Sequence, residues 1–166
     1  MITYIDFDGV VFDTEKLLFD SNYYKAKLDK NFNKEKYVQN IDWYNLILKS
    51  EEINNAIKIL KELKKSIILT KVNSLNNEGV AKIRILRELE IKNNIILVPF
   101  IYKKTDIVDA YGNILVDNTL HNLDDWNKKE GIPIFFNKDN LDIDNYNNVN
   151  KNYPKIKSLE YLREVI

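Results

Sequence analysis

The chain contains no cysteine. Disulfides, thiolate zinc sites and a cysteine nucleophile are therefore excluded. It carries no excess charge either: 25 basic side chains face 25 acidic ones, for a formal net charge of zero. Broad binding to nucleic acid needs a positive field to neutralise phosphates, so a nucleic-acid partner is disfavoured. No apolar run approaches the length that crosses a bilayer. No basic segment with a cleavage site opens the chain. The expectation is a cytoplasmic protein with no membrane partner. Internal repeats and flexible interdomain linkers are also missing.

What is present suits one compact domain with a small insertion. The 166 residues are 45% hydrophobic, enough for a core, and 30% charged, enough for a solvated surface. Hard oxygen ligands are plentiful, and they are all that a magnesium site needs.

The stretch Ile2 to Thr14, ITYIDFDGVVFDT, organises the chain. A short apolar run breaks into Asp6 and Asp8, followed by Gly9. Residues at i and i+2 of an extended segment share a face, so both carboxylates can point into one space. Two such groups repel unless a cation or a proton lies between them. An active site, with Mg²⁺ there and Asp6 attacking a phosphate, competes with an acidic turn at a strand end.

Periodicity orders the rest. Ile2–Ile5 reads as the first strand. Glu15–Lys30 reads as helical, with Leu17, Leu18, Tyr24 and Leu28 on a loose apolar face. Glu35–Ser50 reads as a helix or helix pair, and Glu51–Lys65 as a helix with an Ile53, Ala56, Ile57, Leu60 stripe. Ser66–Leu69 forms a second strand ending at Thr70. Ser74 caps a helix that turns Val80, Ile83, Leu86 and Leu89 inward. Ile95–Val98 is a third strand, Lys103–Tyr111 a short helix stopped by Gly112, and Ile114–Val116 a fourth strand ending at Asp117. Leu120–Lys129 is helical. Ile132–Phe136 is a fifth strand that tolerates Pro133 most easily at an edge. Asn137–Tyr153 reads as loop, and a final amphipathic helix carries Ile156, Leu159, Leu162 and Ile166.

Apolar strands alternating with helices imply an α/β fold, a three-layer parallel sheet with helices on both faces. Ligands of such sheets bind beyond the carboxyl ends of the strands. Asp6, Thr70 and Asp117 each stand at such an end, and Lys103 and Lys104 follow the third strand.

These residues carry a resemblance. DFDGVVFDT resembles the first motif of the haloacid dehalogenase-like (HAD) phosphatase superfamily, whose core is Rossmann-type. The strand ending in Thr70 is similar to its second motif, Lys103 or Lys104 to its third, and ILVDN, ending in Asp117 and Asn118, to its fourth. The order is right, and the similarity spans almost the whole chain. Within the superfamily, ILVDNTLHNLDDWNKKEGIPIFF resembles the small 5'(3')-deoxyribonucleotidase group.

The resemblance implies a chemistry. Asp6 would attack phosphorus and form an aspartyl-phosphate. Asp8 would protonate the leaving oxygen and then deprotonate the hydrolytic water. Mg²⁺ would bind Asp6, the Asp8 carbonyl and a side chain of the fourth motif, Asp117 or Asn118. Thr70 would hold a phosphate oxygen, and a lysine would neutralise the phosphate and Asp6. Lys104 is favoured over Lys103 because it precedes Thr105, as in the family's Lys-Ser/Thr pairing. One departure is Asn118, where the deoxyribonucleotidases carry a second aspartate; it keeps a ligand oxygen but loses a charge.

Residues 15–50 then form a small helical cap over a core of residues 1–14 and 51–166. Such a cap suits a small phosphorylated partner, a nucleoside monophosphate above all. Sugar phosphates, nucleic-acid 3' ends and a binding module without turnover are the alternatives. His121, the only histidine, Asp124 and Asp125 read as a helix start and a solvated helix face. Trp126 reads as core, and Phe12, Phe19, Trp43 and Tyr44 as packing rather than base stacking.

Overall fold

A computed structural model describes residues 1–139 and 152–164. Among these residues six strands form one parallel sheet in the order β3-β2-β1-β4-β5-β6. They are β1 (Thr3–Ile5), β2 (Ile67–Val72), β3 (Asn94–Pro99), β4 (Ile114–Asp117), β5 (Ile132–Phe136) and β6 (Lys155–Ile156). The α-helices among the described residues are α1 (Thr14–Leu18), α2 (Ser21–Lys27), α3 (Lys34–Gln39), α4 (Trp43–Lys49), α5 (Ala56–Glu62), α6 (Val80–Glu88), α7 (Lys104–Ile107) and α8 (Leu120–Lys128).

Strand alternation divides the apolar residues between two cores. Ile5, Ile68, Ile114, Val116, Ile134 and Phe136 join one cluster with Trp43, Ile47, Leu60 and Leu86 from α4, α5 and α6. Tyr4, Leu69, Leu115 and Phe135 face the other way, onto Leu123 and Trp126 of α8. Both faces of the sheet are therefore covered, as apolar parallel strands require.

Several local expectations need correction. The stretch Glu15–Lys30 breaks into α1 and α2 because the Asp20 carboxylate accepts from the backbone N–H groups of Asn22 and Tyr23, capping a new helix. Strand β2 runs past Thr70 to Val72, since Lys71 and Val72 still pair with Val98 and Pro99. On α6 the inward residues are Ala81, Lys82, Ile85 and Leu86, whereas Val80 and Ile83 face solvent. The helix is rotated by about one residue from the apolar reading, and a lysine takes a core position. Ser74 does cap it, through a π-helical turn at Leu75–Gly79.

The C-terminal amphipathic α-helix does not form. Ile156 lies in β6, where its carbonyl accepts from Asn137 N–H at 2.8 Å. Leu159 and Leu162 are buried from a 3-10 helix, Leu159–Glu164, in which positions i and i+3 eclipse on one side. Ile166, like residues 140–151 of the expected loop, lies outside the described residues. β5 is not an edge strand, but β6 pairs only with Phe135 and Phe136, which leaves Pro133 clear of it.

Candidate active site

Register brings the acidic residues together. Ile5 pairs with Val116, and Asp6 N–H donates to the Val116 carbonyl at 2.9 Å, so Asp6 and Asp117 emerge side by side. Ile5 also pairs with Ile68, which places Thr70 two residues further along the neighbouring strand. Beyond β1 the chain turns sharply at Gly9, whose φ of +71° lies in the left-handed region. A Cβ there would fall 2.1 Å from Asn118 Nδ2, so the glycine is what lets Asn118 approach the first loop.

Lys104, the first residue of α7, reaches into this space almost wholly buried. Its Nζ lies 2.9 Å from Asp6 Oδ1 and 2.7 Å from Asp117 Oδ2. Asp117 is engaged at both oxygens: Oδ2 also accepts from Asn122 Nδ2 at 2.9 Å, and Oδ1 accepts from Thr119 N–H at 2.8 Å. Asp6 is only 7% exposed. Burial pushes its carboxyl up to about 7; Lys104 pulls the other way, while Asp117 and Asp8 add to the rise. Burial works against the Lys104 charge, but Asp117 and Asp6 outweigh it and raise the lysine above its ordinary value.

Asp8 is gripped at both oxygens. Thr14 Oγ1 donates to Oδ1 at 2.6 Å, and Lys82 Nζ donates to Oδ2. Lys82 has no exposed surface and also donates to Glu78, Thr70 and the Lys71 carbonyl. Thr70 is buried beneath this network, with Lys82 Nζ 3.0 Å from its hydroxyl.

Asp6 and Asp8 open onto a cavity of about 540 Å³, whose walls include Leu18, Phe19, Val38 and Trp43 from residues 15–50 and Asn118 from the β4 end. Phe100, His121 and Asn122 also line it, as do Lys71, Asn73 and Glu78. Lys103 is not part of it; its exposed ammonium pairs with Asp125 at 3.0 Å. Asp124 accepts from Tyr153 at 2.5 Å. Trp126 and Phe12 are buried in the cores, and Tyr44 stands apart, under Arg84 and bonded to Glu88.

Lys82 and Glu78 escaped the sequence reading. Their i,i+4 spacing is visible in the sequence, but it marks exposed helical pairs equally well. Only the fold brings Lys82 to Asp8, 74 residues away.

No protein-family model matches the chain, and no curated protein matches it. Solved structures do. The D,D-heptose 1,7-bisphosphate phosphatase from B. bronchiseptica, complexed with magnesium and phosphate, is similar at a TM-score of 0.62 and 13% identity over 100% of both chains. A HAD phosphatase from Thermococcus onnurineus matches at 0.58 and 11% identity, over 99% of this chain and 96% of that one. A dehalogenase with an intermediate complex matches at 0.64 and 12% identity, over 99% and 96%. The fold is that of the HAD-superfamily hydrolases. Likeness at such identities establishes the fold alone, and a dehalogenase beside phosphatases means that chemistry must be argued from side chains. None of the three is named as a nucleotidase, so they lend no support to the narrower deoxyribonucleotidase resemblance.

Proposed function

We propose that the protein is a Mg²⁺-dependent phosphatase acting on small phosphomonoesters, with nucleoside monophosphates the first substrates to test. One observation carries the reading: Asp6, at the carboxyl end of the central strand, opens onto a cavity with Oδ1 held by Lys104, itself fixed by Asp117. That arrangement presents a carboxylate oxygen beside a buried cation, which suits attack on an anionic phosphoryl group.

Asp6 attacks phosphorus, and the bond to the leaving oxygen breaks as Asp8 gives that oxygen a proton. Water then attacks the aspartyl-phosphate, Asp8 takes a proton from it, and the Asp6–phosphorus link is cleaved. Lys104 offsets the charge of Asp6 and of the phosphate. Thr70 serves the phosphate once the Asp8–Lys82 network admits it. Residues 15–50, with α1 to α4, act as a cap that excludes water and limits the leaving group to what about 540 Å³ can hold.

The donors fit a hard, sparsely held cation. Among the described residues no three Asp, Glu, His or Cys side chains are grouped to hold a metal. Asp6 Oδ2 has no protein partner among them, and Asn118 lines the same cavity. Together with the Asp8 carbonyl they would hold Mg²⁺, which commonly keeps several waters. Bound there, Mg²⁺ would spread the charge of the transferring group. Asp117 is better suited to holding Lys104 than to binding metal, since protein donors occupy both its oxygens.

The thin ligand set favours one second reading, a phosphate-binding module without turnover. The experiment is hydrolysis of 4-nitrophenyl phosphate and of thymidine, uridine and sugar monophosphates with Mg²⁺, by the wild-type protein and by Asp6→Asn. Turnover that Asp6→Asn abolishes supports the phosphatase; equal rates overturn it. Phosphate binding with no turnover of any ester selects the module. A cytosolic location fits the substrates proposed, and no helix among the described residues is long and apolar enough to cross a membrane.

A further inference from the structure

Outside Asp6, Lys104 and Asp117, the site holds a second buried ion cluster. Lys82 has no exposed surface and Glu78 is 2% exposed. Glu78 Oε1 lies 2.8 Å from Lys82 Nζ, one helical turn away along the chain. Glu78 Oε2 is tied down separately, by Asn73 N–H at 2.7 Å and Asn73 Nδ2 at 2.9 Å. Phe7 and Trp43 wall the ammonium in, with ring centroids 5.3 and 5.8 Å from Nζ. A lysine stripped of water is costly, and fixed partners on every side are what hold it there.

Asn73, Glu78 and Lys71 belong to β2 and the turn into α6 and line the cavity, whereas Lys82 lies behind them. Asn73 holds Glu78, and Glu78 and the Lys71 carbonyl immobilise Lys82. What the fixed ammonium then offers towards the cavity is a donor aimed at Asp8 Oδ2. Thr14 completes the grip at Oδ1.

We propose that Lys82, anchored by Glu78, is a positioning residue that sets the orientation of Asp8 for proton transfer to the leaving oxygen. The proposal rests on the phosphatase reading and adds a role that the reading does not need. Lys82 does not line the cavity, whereas Asp8 does, so the lysine acts through Asp8. In the step concerned, the Asp6 oxygen–phosphorus bond forms, the phosphorus–leaving-oxygen bond breaks, and the proton passes from Asp8 to that oxygen.

Leaving-group dependence tests it. A 4-nitrophenolate departs without a proton, whereas an alkoxide needs one. The quantity to measure is kcat/KM, which covers phosphoryl transfer but not the later hydrolysis that also uses Asp8. Lys82→Met is expected to lower kcat/KM about 100-fold on an alkyl ester, thymidine 5'-monophosphate, and less than about 5-fold on 4-nitrophenyl phosphate. Lys82→Arg is expected to recover part of the alkyl-ester loss. Should Lys82→Met fail to fold, Glu78→Gln keeps the lysine but loosens its anchor, and a loss of about 10-fold confined to the alkyl ester is expected. Equal losses on both esters, in whichever variant folds, overturn the positioning role and leave the phosphatase standing. A wild-type protein that hydrolyses no ester of the wider panel, the uridine and sugar monophosphates included, overturns the phosphatase reading and this role together.

Discussion

Asp117 holds Lys104: the two side chains meet at 2.7 Å with almost no surface exposed. Removing one partner of a buried ion pair strands the other, at a cost of roughly 3–5 kcal/mol. Lys104→Met is therefore expected to lower the unfolding free energy by about that amount and to abolish turnover, because Asp6 and Asp117 are left facing each other. Asp117→Asn keeps a hydrogen-bond acceptor and should retain the fold while losing about 10- to 100-fold in kcat/KM. Lys103→Met is the control. Its ion pair with Asp125 is exposed, so stability should change by less than about 1 kcal/mol and turnover should not change. Denaturant melts and steady-state rates on 4-nitrophenyl phosphate separate the three.

Asp6 predicts a dependence on pH and metal together. Its carboxyl is pushed up to about 7, first by burial, with Asp117 and Asp8 adding to the rise against Lys104. A carboxyl raised in the folded state contributes stability below its unfolded value, near 4, and loses it as pH rises through about 7. Metal-free protein is thus expected to lose melting temperature between pH 4 and 7 from this group. A divalent cation beside Asp6 offsets that loss, so Mg²⁺ should raise the melting temperature more at pH 8 than at pH 5. The acidic limb of kcat/KM, near pH 7 at low Mg²⁺, should move to lower pH as Mg²⁺ is added. Melting temperatures indifferent to Mg²⁺ at both pH values would count against a cation at Asp6.

The sheet was legible because its strands are short, apolar and separated by helical spacing. Ile132–Phe136 could be bounded from residue types alone, and Asp6 and Asp117 could be set at strand ends without knowing strand order, whereas β2 runs two residues past Thr70. The failures share a cause, which is contact between distant segments. Nothing local distinguishes a helix face carrying Lys82 from one carrying Val80 and Ile83 until Asp8 and Glu78 surround the lysine. Ile156 reads as helical until Phe136 offers a strand to pair with. The role of Asp117 was equally hidden, because its donor Lys104 meets it only once α7 is docked.

Gly9 ties backbone geometry to the proposed cation site. Alanine there would have to adopt a φ of +71°, and its methyl would stand 2.1 Å from the present Asn118 Nδ2. The backbone cost is about 1–2 kcal/mol, and Asn118 must move. Gly9→Ala is therefore expected to weaken Mg²⁺ activation about 10-fold while leaving the helical signal intact. Rate against Mg²⁺ concentration, alongside circular dichroism, checks this; an unchanged half-saturating concentration would exclude Asn118 from the cation's surroundings.

Thr14 links the 15–50 segment to the chemistry. It is 1% exposed, begins α1, and its hydroxyl reaches Asp8 Oδ1 at 2.6 Å. Valine matches its shape but cannot donate, so Thr14→Val removes the donor to Asp8 Oδ1 and little else, leaving Lys82 and, at 3.5 Å, Thr70 on Oδ2. The lost hydrogen bond to a charged acceptor should cost about 1.5–3 kcal/mol of stability. The kinetic effect should follow the leaving group, with kcat/KM on thymidine 5'-monophosphate falling about 10-fold and that on 4-nitrophenyl phosphate little changed. Thr14→Ser keeps the hydroxyl and should restore the alkyl-ester rate. Failure of serine to restore it would assign Thr14 to packing at the start of α1, with Lys82 left as the side chain that aims Asp8.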